Sequence, residues 1–153
     1  MDKAQLERDA AGLVGQIIFC LSRLEFNLGL YLRNAVGGRD VEAVNPLIER
    51  LSFKAKIDAL RDVVGRKFCS EEACISEFRS WWAAMDEFRP KRNSFVHGRW
   101  AMVGPHAINA ASVLPGSNAQ KETRYLVADL ATELQKAEEI SASFNRWSDR
   151  WPL

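Results

Sequence analysis

A chain of 153 residues, 47% hydrophobic and 27% charged, has the size and make-up of one soluble domain, expected to occupy 1–153 and to bury a sizeable core. A net charge of +1 excludes a global basic field that would capture nucleic acid at long range, so any such contact must come from a local patch. Three cysteines (Cys20, Cys69, Cys74) and two histidines (His97, His106) have neither disulfide-framework nor zinc spacing, so the chain reads as a cytoplasmic protein with free thiols, no metal and no cofactor.

The N-terminus starts Met1-Asp2-Lys3 and turns amphipathic, without the basic and apolar regions of a signal peptide. The apolar run Ile17 to Leu21 is far short of the ~20 residues that cross a bilayer, so no membrane association is expected. A first helix is predicted from Lys3 to Asn34. Leu6, Ala10, Leu13, Val14, Ile17, Ile18, Leu21, Leu24, Leu28 and Tyr31 form its main face. Phe19, Cys20, Phe26 and Leu30 lie off that face, as expected of a central helix or one facing a partner subunit. Gly37-Gly38 stops it.

Asn45-Pro46 reads as the start of a short helix to about Arg50. Ser52 caps the next helix, with Phe53, Ile57, Leu60, Val64 and Phe68 on one stripe. Ser70 is the expected cap of a third long helix, with Glu71 and Glu72 in its first turn. Ile75, Phe78, Trp82 and Met85 form its expected core stripe, and Trp81, Phe88 and Phe95 an adjacent one. Pro90 removes one internal hydrogen bond and is expected to kink it near Asp86 to Arg89.

From Arg99 to Leu126 helical periodicity disappears, and Gly104-Pro105, Pro115-Gly116 and Asn118 mark turns. Trp100–Val103, Ile108–Leu114 and Thr123–Val127 read as short strands of a small hairpin, or the whole stretch as a loop. His106, within it, is expected to be exposed. A last helix from near Asp129 carries a seam of Leu130, Leu134, Ala137, Ile140, Phe144, Trp147 and Trp151. The expected fold is all-α: an up-and-down four-helix bundle with a short extra helix and a small hairpin or loop insertion before the last helix.

The stretch most suited to chemistry is Arg92-Asn93-Ser94-Phe95-Val96-His97-Gly98, with Arg89, Lys91 and Arg99 beside it. On a helix Asn93 and His97 share a face. Arg92 and His97 point about 140° apart, so Arg92 must curl back or a second copy must bring its own arginine. Gly98 is the usual residue just past a helix end, which puts His97 in the last turn, where the dipole favours a cation. The same residues also read as plain structure, with Arg92 paired to Asp86 or Glu87 and His97 bonded at the helix end.

R-N-x-x-x-H-G at the end of a core helix resembles the signature of the HEPN superfamily, small helical domains of which many are metal-independent endoribonucleases of toxin–antitoxin and other defence systems. Leu51-Ser52-Phe53-Lys54-Ala55-Lys56-Ile57 is similar to the L-S-F-x-x-K-I segment of bacterial members. The resemblance implies an RNA-cleaving homodimer, with a cognate antitoxin as a further partner. His97 would be the general acid/base, since imidazoles titrate near neutrality. Arg92 would clamp the phosphate, and Asn93 would orient the imidazole or bond the phosphate. Lys91, Arg99, Lys56 and Glu25 are the expected substrate-binding residues. The alternative is a non-catalytic module of the same family that binds RNA, a nucleotide or a protein.

Overall fold

In the computed structural model, which describes residues 2–37, 40–112 and 119–153 (of Ser112 the backbone alone), most of the chain is helical. Its α-helices are α1 (Lys3–Val36), α2 (Asn45–Glu49), α3 (Phe53–Lys67), α4 (Glu72–His97) and α5 (Val127–Arg150). The fold is nevertheless not all-α. Strands β1 (Arg99–Val103), β2 (His106–Ser112) and β3 (Gln120–Tyr125) form one antiparallel sheet in the order β1-β2-β3. The three short strands expected in this stretch are present, paired as one three-stranded sheet rather than forming a loop. Gly38, Val113, Leu114, Pro115-Gly116 and Asn118, all used in the sequence reading, lie outside the described residues.

The sheet forms for local reasons. Val103 pairs with His106 across a two-residue turn. Gly104 supplies φ 60, and Pro105 holds a negative φ, which selects a II′ rather than a I′ turn. β2 is the central strand, and its Ala107, Ile108 and Asn109 are buried. β3 is polar along most of its length (Gln-Lys-Glu-Thr-Arg), so it carries little sequence signal; its pairing with β2 from Ala107↔Tyr125 to Ser112↔Gln120 holds it in place.

Helix boundaries follow their caps. Ser52 Oγ accepts from the Ala55 amide at 3.2 Å, as expected. Asp129 Oδ2 accepts from the Leu126 amide at 2.8 Å and so fixes the start of α5. Asp40 caps a 3₁₀ turn at Val41–Val44 that runs directly into α2, so Asn45 is the first helical residue rather than the cap. α4 begins at Glu72, so Ser70 sits one residue too early to cap it.

The chain resolves into two compact units, one of residues 1–20 and 86–139 and the other of 21–85 and 140–153. In the second unit, segments of α1, α3, α4 and α5 enclose an aromatic core. Trp147 meets Tyr31 and Phe78 at 5.1 Å, and Trp81 meets Phe144 at 5.0 Å. The buried indole N–H groups of Trp81 and Trp147 donate to the carbonyls of Ile140 and Cys74. The α4 stripe therefore runs through Cys74, Phe78, Trp81 and Met85, and the expected Ile75 and Trp82 are only half-buried. In the first unit the N-terminal half of α1 buries Leu6, Ala10, Val14 and Ile17.

By length and composition α1 is apolar enough to cross a membrane, although the run Ile17–Leu21 alone is not. Only 22% of its most apolar window is buried, and its outward faces carry Phe19 and Phe26, 64% and 66% exposed.

Candidate functional site

The site lies in the first unit, where the last turns of α4 meet the sheet. A helix leaves its last four carbonyls without intrahelical donors. Here the sheet supplies a donor for one of them, Phe95, and a second donor for the carbonyl before it, Ser94, which also accepts from the Gly98 amide. The Asn109 side chain of β2 donates from Nδ2 to the Ser94 carbonyl at 3.1 Å, and its Oδ1 accepts from the Ser94 hydroxyl. The Trp100 indole of β1 donates to the Phe95 carbonyl at 3.4 Å. Asn109 is fully buried at 0% exposure, so these bonds also satisfy an amide that would otherwise be costly to bury. Phe95 anchors the same turn from below, 5.6 Å from the rings of both Trp100 and Tyr125.

Gly98 is explained by space rather than by backbone conformation. Its φ is not in the left-handed region, unlike those of Gly37 and Gly104. A Cβ at position 98 would stand 2.4 Å from Asn109 Nδ2 and 2.4 Å from the Ser94 carbonyl oxygen. Only glycine lets the Asn109 amide reach into the last turn.

Beside this cap lies an open cavity of about 830 Å³, within the range of about 300–1,000 Å³ usual for small-ligand sites. Asn93, Ser94 and His97 form the α4 side, with Arg89 and Lys91 a turn earlier. Lys121, Thr123 and Tyr125 form the opposite wall, since alternate residues of a strand point the same way. His97 is exposed, and among the described residues its imidazole makes no hydrogen bond.

The expected residues separate into groups. Asn93 and His97 share the cavity, as their spacing implied. Arg92 does not line it; its guanidinium donates to Asn93 Oδ1 at 3.3 Å, so it touches the site through that amide. It is Arg89, not Arg92, that pairs with Asp86, at 3.3 Å. Lys91 lines the cavity but is held by Glu133 at 2.7 Å. Arg99 is exposed at the start of β1 and is not part of the lining. Lys56 and Glu25 belong to the second unit, where they pair with each other at 3.0 Å, and neither lines this cavity. His106, expected to be exposed, is half-buried at the start of β2.

Sequence reasoning missed Lys121, Thr123, Asn109 and Glu133. Glu133 is 8% exposed and accepts from both Lys91 and Lys136. Its position, three residues after Leu130, placed it at the edge of the seam, which was the available signal. Replacing Glu133 by Ala is expected to cost about 1–2 kcal/mol of stability in urea titration, because Lys91 loses its partner yet can still turn to water. Tyr125 is pushed above the usual phenol range by burial first and by the Glu133 carboxylate second, with the Thr123 hydrogen bond opposing. Tyr125 therefore lines the cavity as a neutral phenol.

Among the described residues no group of three His, Cys, Asp or Glu side chains is arranged to hold a metal ion. No family model, curated protein or solved structure matches the chain.

Proposed function

We propose that the protein is a HEPN-type, metal-independent endoribonuclease of the toxin or defence kind, built on an up-and-down four-helix bundle and acting on RNA in the cytoplasm. The observation that carries this reading is the exposed, unbonded His97 imidazole in one open cavity with Asn93 and basic side chains. RNA carries its own nucleophile. The 2′-OH loses its proton and attacks the adjacent phosphorus, the P–O5′ bond breaks, and the 5′-oxygen takes up a proton. The products are a 2′,3′-cyclic phosphate and a 5′-hydroxyl. His97 acts as the proton carrier and Asn93 fixes the imidazole or the phosphate. One imidazole does not readily serve both oxygens. The active form is therefore a homodimer whose two-fold axis brings a second His97 and a second Arg92 to the same phosphate.

The test is direct. RNA is cleaved in EDTA and leaves 2′,3′-cyclic phosphate ends, while a strand with a single 2′-deoxy substitution is uncut at that linkage. Cleavage that persists at the deoxy position, or that needs added metal, overturns the reading.

A second reading rests on Arg92, which bonds Asn93 instead of lining the cavity. A clamp turned away from the phosphate fits a module that holds RNA, a nucleotide or a cognate antitoxin without cutting. That reading requires tight binding of intact RNA or partner, equal in wild type and in His97→Ala.

A further inference from the structure

The wall opposite His97 is made by a strand that the R-N-x-x-x-H motif does not include. Lys121, Thr123 and Tyr125 alternate along β3 and face the cavity, while Glu122 and Arg124 point to the other side. Of the cavity's basic side chains, Arg89 is engaged by Asp86 and Lys91 by Glu133. Lys121 has no acidic partner among the described residues. Among the described residues the one carboxylate in the lining is Glu87, on α4. The free positive charge of the cavity therefore sits on the sheet, not on the motif helix. A hydroxyl stands beside it on the same face, at Thr123, and the lining also includes the apolar or neutral Pro90, Ala111 and Tyr125. This combination suits an anionic oxygen held by an ammonium and a hydroxyl, with a flat ring lying against the Tyr125 side of the lining. The spacing of wall and helix is set by Asn109, which bonds β2 to the last turn of α4.

We propose that Lys121 and Thr123 form a second phosphate subsite. It binds the phosphodiester next to the one presented to His97, so that the sheet holds single-stranded RNA across the cavity. The inference rests on the ribonuclease reading for its ligand, but its test does not depend on cleavage.

The probe is a short single-stranded RNA, fully 2′-O-methylated so that it cannot be cut, titrated against the full-length protein over a range of salt concentrations. Lys121→Ala is expected to weaken binding about tenfold at low salt. It is also expected to reduce the slope of log K against log salt by about 0.7, the loss of one phosphate contact on a single strand. Thr123→Val weakens binding less and leaves the slope unchanged. Arg124→Ala removes the same charge from the opposite face of the same strand and is expected to behave as wild type. Equal losses in Lys121→Ala and Arg124→Ala, or none in either, overturn the subsite, as does wild type that fails to bind the probe. Binding that depends on Lys121 in a protein that cuts no RNA keeps the subsite and removes the nuclease. Metal-independent cutting that is indifferent to Lys121 does the reverse.

Discussion

Replacing His97 by alanine is expected to slow RNA cleavage by about 10²–10⁴-fold, the usual worth of a positioned acid or base. The same change is expected to leave stability within about 1 kcal/mol of wild type. The imidazole is exposed and makes no hydrogen bond among the described residues, so its removal deletes no hydrogen bond. What remains is the ordinary effect of an exposed surface substitution, about 0.5 kcal/mol. Single-turnover cleavage and urea unfolding on the same preparation separate the two effects. An alanine variant that cuts RNA as fast as wild type removes His97 from the chemistry, whatever the cavity contains.

The largest stability loss is expected at the cap rather than at the candidate catalytic residues. Asn109→Leu deletes the bonds to the Ser94 hydroxyl and carbonyl and leaves both without those partners next to a buried apolar group. A cost of about 2–4 kcal/mol follows. Gly98→Ala reaches the same spot from the other side: its new methyl would meet Asn109 and the Ser94 carbonyl well inside contact distance. Overpacking of this kind costs about 1–3 kcal/mol. Gly98→Ala and Asn109→Ala should not add. Asn109→Ala vacates part of the space that Gly98→Ala needs, so the double variant is expected to lose less than the sum of the single ones. The relief is partial, because the Ser94 oxygen belongs to the backbone and stays. Strict additivity in a double-mutant cycle would mean that residues 98 and 109 are not in conflict, and the account of Gly98 would fail.

The helical parts of the fold were readable because their cores repeat every three or four residues over long stretches. α1, α3 and α5 start and end within a few residues of their expected bounds. On α4 Phe78 and Met85 are core as expected, but Ile75 and Trp82, which look more hydrophobic than Cys74, are only half-buried, while Cys74 is fully buried. The sheet was legible as short strands of a small hairpin, but not the pairing of all three. β3 is stabilised by pairing rather than by its own composition, and nothing local announces that Asn109 will be buried. The shared face of Asn93 and His97 followed from helix geometry alone. The role of Gly98 did not, because it depends on a side chain from another element. Nor did the partners of Lys91 and Lys56, which are chosen by folding among many carboxylates in the chain.

The Ser94 carbonyl is shared, accepting from the Gly98 amide at 2.8 Å and from the Asn109 side chain. If the sheet peels off, the turn that carries the imidazole loses the Asn109 and Trp100 donors and keeps only its own Gly98 bond at Ser94. Any influence that loosens the insertion, whether heat, denaturant or a binding protein gripping its edge, would disarm the cavity while leaving every reacting group chemically intact.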